Sequence, residues 1–362
     1  MNFEEISSEK SRNSSIELLR IVAMFFIIMA HLSGHGVMNV RDYTTNAHIW
    51  DGGTLFNKIY TIFLLPGGGI SVGLFFTITG YFQINRTHIS LKKIITETVF
   101  YAFFIQAIAM LWGVGSIGAL AKSIVPIASG SWWYVSSYVL LMICSPAINT
   151  YYLKLNARQK RFVLVFVWLF LYLLPYIFYA QYYSLERGVL FYLIGAYIRT
   201  EINVNQLNRP LLMLGALLLW IVYIPIGYRY YSLINKSRLF NIISDGVILN
   251  GFIVVGCSGL LFLTFASIKP FSNKFINSIA KSTFGVYLLH DNAYREYLWN
   301  DLLQISTKYQ NLWFPIMAVI VSILIFCGCL IIDYMRRIFF KGLANRLQLH
   351  NTSQQKLTNL KF

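Results

Sequence analysis

Two ionisable side chains inside one apolar run define the chemistry open to this sequence. The stretch SSIELLRIVAMFFIIMAHLSGHG, residues 14 to 36, places Arg20 and His31 eleven residues apart. At 100° per residue that spacing returns a helix to within about 20° of its starting direction, and the rise separates the two groups by about 16 Å. Glu17 lies about 60° from Arg20 and His35 about 40° from His31, so four polar groups form one stripe. Phe25, Phe26 and Ile28 lie mostly elsewhere on the helix. Turned to hydrocarbon, each charge would cost several kcal/mol, so the stripe should face a cavity. Two readings of Arg20 stand side by side, a functional group or a residue satisfied by snorkelling or by an ion pair with Glu17 three residues earlier. His31, deep in the run, needs partners, either for chemistry or as a structural hydrogen-bonded ring. His35 reads as an interfacial residue near the end of the run.

Further candidates lie along the chain. Trp132, Trp133 and Tyr134 open an apolar run where an aromatic belt is expected, and stacking on a sugar ring is the rival role. His290 and Asp291 close another run, as a structural hydrogen-bond pair or as groups that orient substrate or His31. Glu97 has Lys93 one turn before it, which predicts a local ion pair. PGGG at 66 to 69 lacks a following GK[ST], so it is no nucleotide loop and reads as close helix packing or a turn. WGVGSIGAL at 112 to 120 predicts irregular backbone. The four cysteines, Cys144, Cys257, Cys327 and Cys329, all fall in apolar stretches and predict packing residues without a disulfide framework or a zinc site.

The elements that must hold these residues are membrane helices. Of 362 residues, 57% are hydrophobic, 17% aromatic and 12% charged, where soluble domains carry about a quarter charged residues. Apolar runs of about 20 residues recur from Ile21 to Ile332, which predicts an all-α integral membrane protein, one bundle of about ten transmembrane helices. The spans are expected near 15 to 37, 62 to 83, 94 to 113, 132 to 150, 162 to 180, 187 to 199, 210 to 228, 246 to 266, 277 to 298 and 313 to 334. Residues 187 to 199 are short for a crossing, so tilt, local thinning or nine spans are alternatives. The polar segment 1 to 14 precedes the bundle, residues 15 to 334 form it, and 335 to 362 make a basic tail. The first apolar run is too long for a signal-peptide core and lacks a small-x-small site, so it stays as an uncleaved span. The net charge of +16 comes from Lys and Arg spread over short linkers, not from one stripe, which argues against a nucleic-acid partner. Their bias places both termini in the cytoplasm and leaves a basic inner face suited to anionic lipid or a phosphate-bearing ligand.

Five stretches together resemble the membrane-bound acyltransferase family 3. An acid, an arginine three residues later and a histidine eleven beyond that, as in Glu17, Arg20 and His31, look like the opening of its first span. GGISVGLFFTITGYF (68 to 82) is similar to its second-span signature, and SWWYVSSYVLLMICSPAIN (131 to 149) to its tryptophan-led fourth span. FYLIGAYIR (191 to 199) resembles its glycine-aromatic inner-end motif, and STFGVYLLH (282 to 290) its late span ending in histidine. The resemblance implies a bacterial cell-membrane enzyme that moves an acyl group, usually acetyl, from a coenzyme A thioester to a hydroxyl of an envelope polysaccharide or its lipid-linked precursor. It implies a catalytic His31, an essential Arg20 with Glu17 beside it, and no metal. Arg20, Arg86, Lys92 and Lys93 would bind the donor's phosphates, since cationic groups match them. Many relatives carry two arginines three apart on that loop, whereas here Ile89 follows Arg86 at that spacing. His35, Trp132, Trp133, His290 and Asp291 are the acceptor-side candidates. No soluble hydrolase-like domain accompanies the bundle, so the enzyme acts alone or hands the acyl group to a separate extracytoplasmic partner. The rival from another class is a polysaccharide exporter, because an ionisable stripe also suits a substrate path.

Overall fold

A computed structural model describes residues 12–40, 48–172, 174, 185–233 and 237–359, with side chains described for most of them. The first helix, α1 (Ser14–Ser33), starts at Asn13, whose side chain accepts from the Ser15 amide and so satisfies one of the orphan donors of the first turn. It runs on through a π-helical turn, Gly34–Met38. α2 (Leu55–Leu64) and α3 (Pro66–Gln83) form one rod, because Leu65 between them keeps right-handed helical angles and Pro66 sits where a missing amide hydrogen costs nothing. α4 (Lys92–Leu111) follows, then the short α5 (Ile117–Lys122), α6 (Trp133–Tyr152), α7 (Ala157–Tyr172) and α8 (Leu185–Glu201). α9 (Arg209–Ser232) is followed by α10 (Arg238–Asn241), a π-helix at Ile242–Val254 and α11 (Val255–Ala266). The late part of the chain carries α12 (Lys274–Ala280), α13 (Thr283–His290), a π-helix at Tyr297–Leu302, α14 (Ile305–Lys308) and α15 (Phe314–Asn359). No strand occurs among the described residues.

Six helices are long and apolar enough to cross a bilayer: Ser14–Met38, Leu55–Gln83, Lys92–Leu111, Arg209–Ser232, Leu239–Ala266 and Phe314–Leu343. The other four expected spans take different forms. Residues 132 to 150 lie in α6, which has 20 residues but carries Ser136, Ser137, Ser145 and Asn149 along its length. Span 162 to 180 is described only as far as the end of α7 and at Leu174, its remainder lying outside the described residues. Residues 187 to 199 lie in α8, a helix of 17 residues. Span 277 to 298 is not continuous, because α12 stops at Ala280, α13 begins at Thr283, and turns separate His290 from the next helical segment. The helix that carries the last expected span, α15, continues past 334 into the expected tail as far as Asn359.

Lipid is as apolar as leucine, so helices in it are held by close packing and internal hydrogen bonds rather than by expulsion of water. The tightest crossing joins α3 to α8, where Gly80 meets the Tyr192 backbone and Gly195 meets the Thr77 carbonyl with no room for a Cβ on either. PGGG turns out to be helix, and its glycines pack close to α1: Gly67 against Phe26 and Gly68 against Ala30. Asn149 ties three helices together, donating to the Gln83 carbonyl at 2.9 Å and accepting from the Tyr192 hydroxyl at 2.7 Å. The first part of WGVGSIGAL, residues 112 to 116, is irregular, with Gly113 in the left-handed region at φ 74°, whereas 117 to 120 belong to α5. Cys257 is buried with its thiol on the Ala216 carbonyl, whereas Cys144 and Cys327 are exposed. Leu211, Leu214, Leu217, Leu218 and Ile221 on α9 are likewise exposed, an apolar surface fit for lipid. α1 lies inside this arrangement, packed against α3, α12 and α15.

The predicted Glu97–Lys93 pair does not form. Glu97 is buried and bonds Arg336 of α15 at 2.8 Å, and the same guanidinium reaches Asp333 at 2.8 Å while the Tyr101 hydroxyl donates to Asp333 at 2.8 Å. A buried carboxylate takes the partner that other groups also hold in place. Gly285 makes room for this cluster, because a Cβ there would overlap the Asp333 carboxylate.

Candidate active site

The face of α1 that carries Arg20 and His31 lines a cavity of about 580 Å³, a size suited to small-molecule binding, whereas Glu17 and His35 lie outside its lining. Arg20, Met24, Ile27 and His31, at intervals of three and four residues, supply one wall. Gly68, Gly69, Val72, Phe75 and Thr79 of α3 supply the next, and Trp133, Tyr134 and Tyr138 of α6 another. Lys93 and Glu97 of α4, Lys281 between α12 and α13, Tyr287 of α13 and Asp291 just after it also line the space. The break in the ninth expected span brings Lys281 and Asp291 to the same cavity as Arg20 and His31.

At the Arg20 end, Arg12 and Lys93 share the lining. Glu17 is 8% exposed and its ion pair is with Arg12, at 3.5 Å. Among the described residues no ion pair joins Glu17 to Arg20, which removes the self-satisfied reading of that spacing. Arg20 Nε is buried and has no hydrogen-bond partner, a cost that a bound anion would offset. Arg86 and Lys92 are exposed and are not part of the cavity wall, whereas Lys93 is. The cationic end therefore combines Arg20 with Arg12 from just before α1 and Lys93 from α4.

At the other end the imidazole of His31 lies beside two more. His31 Nδ1 is 3.1 Å from His290 Nε2, and His290 Nδ1 is 2.7 Å from the Val286 carbonyl oxygen. The His35 ring centroid is 5.3 Å from that of His31, and its Nδ1 is 3.0 Å from Glu296 Oε1. The π-helical turn after Ser33 widens the helix at this point and carries His35. Asp291 is 4% exposed and accepts from Arg295 at 3.2 Å. Trp133 lines the cavity, while Trp132 is buried outside its lining. His31, His35 and Asp291 each offer a donor atom within 4.8 Å of the others, so this trio could also hold a divalent cation.

Of the residues singled out in the sequence, Arg20, His31, Lys93, Glu97, Trp133, Tyr134 and Asp291 share this cavity, with His290 and His35 beside His31. Arg12, Lys281, Tyr138, Tyr287 and Arg187 also line it and are not site residues on the sequence reading. Lys281 had a signal, a cation inside the expected span 277 to 298. Arg12 had none beyond its place in a polar leader.

A sequence family described as an acyltransferase domain matches residues 13–334. No curated protein matches the chain, and no solved structure does.

Proposed function

For a chain that belongs to acyltransferase family 3, membrane enzymes that transfer acyl groups, we propose an O-acyltransferase that moves an acyl group, acetyl in the first instance, from coenzyme A to a hydroxyl of an envelope polysaccharide or its lipid-linked precursor. The observation that carries this reading is one cavity lined both by Arg20, whose buried Nε has no hydrogen-bond partner, and by the imidazole of His31, about 16 Å apart along the helix that bears both. Donor phosphates rest against Arg20, Arg12 and Lys93, and the thioester reaches toward His31. The His31 ring takes the proton of the acceptor hydroxyl as that oxygen attacks the thioester carbonyl carbon. The carbon–sulfur bond breaks, the thiolate takes the proton from the imidazolium, and the products are the acyl ester and free coenzyme A. Trp133, Asp291 and His35 lie at the end where the acceptor would sit. The setting is a bacterial cell membrane with both termini cytoplasmic, so the cationic end opens toward the donor.

The test is transfer of radiolabelled acetyl from acetyl-coenzyme A to an envelope fraction by the purified full chain, beside a His31→Ala protein. Wild type should label the glycan and release one thiol per ester formed. The substitution should lower the rate by about 10²- to 10⁴-fold, the usual contribution of a positioned general base. Glycan movement without thioester consumption would replace this reading with the exporter, and equal rates in the two proteins would remove His31 from the reaction.

A further inference from the structure

The three-membered chain His31–His290–Val286 determines which atom of His31 can react. A backbone carbonyl only accepts, so the 2.7 Å contact between His290 Nδ1 and the Val286 oxygen places the His290 ring hydrogen on Nδ1. In the neutral ring Nε2 is then a lone pair, and it is aimed at His31 Nδ1 at 3.1 Å. That contact is a hydrogen bond only if His31 carries its hydrogen on Nδ1. The remaining nitrogen, His31 Nε2, is left as the basic one. His290 is 1% exposed, so water does not compete for the bond. Asp291, next in the chain and on the cavity wall, supplies a carboxylate beside the ring that must become cationic once it takes a proton.

We propose that His290 is a positioning residue that fixes His31 in the Nδ1–H tautomer, making Nε2 of His31 the atom that takes the acceptor's proton. The consequence for the transfer rests on the acyltransferase reading above; the tautomer assignment does not. During turnover the Nδ1–H bond to His290 is kept while Nε2 gains and loses one proton, so His290 itself never changes charge.

The two amide replacements of His290 separate this role from a structural one. A glutamine amide reaches the position of the ring's Nε2 and can accept from His31. An asparagine amide reaches only the position of Nδ1 and can keep only the bond to Val286. His290→Gln should keep kcat within about fivefold of wild type, whereas His290→Asn and His290→Leu should lower it by at least about tenfold with KM for acyl-coenzyme A unchanged, as expected for loss of one buried hydrogen bond to the reacting group. A second readout needs no acyl substrate: ethoxyformylation of His31 by diethyl pyrocarbonate, followed by peptide mass spectrometry. It should be rapid in wild type and His290→Gln and several-fold slower in His290→Asn and His290→Leu. Rescue by asparagine but not glutamine, or one modification rate for all four proteins, overturns the assignment. The expected ethoxyformylation pattern, fast in wild type and His290→Gln and slow in the other two, in a protein that transfers no label would sink the acyltransferase reading and leave the tautomer standing. Loss of activity on chelation with restoration by zinc would make His31 a metal ligand instead, which also overturns it.

Discussion

Arg20 is held where an arginine is costly unless something anionic visits it. Its Nε is buried without a partner, and the carboxylate three residues before it bonds Arg12 instead. A coenzyme A phosphate would complete the guanidinium's donor set, and a charge-assisted hydrogen bond of this kind contributes roughly 1.5–3 kcal/mol. Arg20→Ala should therefore raise KM for acyl-coenzyme A by about 10- to 100-fold while kcat falls far less. Arg20→Lys should recover part of the loss, because an ammonium keeps the charge but not the fork. Steady-state kinetics beside direct coenzyme A binding would check both, and unchanged donor affinity in Arg20→Ala would remove Arg20 from the donor site. Lys93 should behave in the same direction with a smaller effect. It lines the cavity and does not hold Glu97, so Lys93→Ala should weaken donor binding without lowering thermal stability.

Helix crossings decide whether these residues meet at all. Gly80 and Gly195 let α3 and α8 touch backbone to backbone, and Gly80→Ala should destabilise the fold by about 1–3 kcal/mol through overpacking. Gly34→Ala, with open space around its Cβ position, is the harmless control, and melting temperatures in detergent would compare them. Arg336→Met should be worse, about 3–5 kcal/mol, because it leaves Glu97 and Asp333 buried without their shared cation. The contrast between Lys93 and Arg336 as partner for Glu97 also shows where sequence reasoning stops. Spacing reveals neighbours on one helix, and it correctly put Arg20 and His31 on one face. It cannot reveal a partner 239 residues away, so it favours the nearest cation over the one that α15 delivers. The same limit hid Lys281 and left the His31–His290 contact one of two alternatives for His290, because both depend on how the broken late span folds against α1. Six spans were legible because apolarity alone identifies them. α6 and α8 were less so, since burial by neighbours lets them carry Ser, Asn and Gly, and the break at 281 to 282 is invisible in a run that is apolar on average.

The molecule as a whole joins a cationic end to an imidazole end through a single cavity, and the order of these ends along α1 would give the proposed transfer a direction. Cations lining the cavity come from the segment before α1, from α1, from α4 and from the α12–α13 junction, so on the proposed reading no single helix would make the donor site and its field would be a property of the assembled bundle. Between the ends the α1 wall is Met24 and Ile27, and only a flexible acyl-bearing arm need pass them. Ile27→Trp should therefore separate binding from transfer. The larger ring occupies part of a cavity of about 580 Å³ while leaving Arg20, Arg12 and Lys93 in place, so coenzyme A binding should stay within about threefold of wild type. Acyl transfer should fall by at least about tenfold, because a reacting group held even an ångström out of reach can lose 10²-fold in rate. Ile27→Ala on the same helix widens the passage and should leave transfer largely intact, which guards against reading a folding defect as a block. Binding measured by equilibrium dialysis and transfer measured with labelled donor would settle the matter for both proteins. If Ile27→Trp loses both together, or loses neither, donor and imidazole do not communicate past this residue, and the thioester must approach His31 by another route.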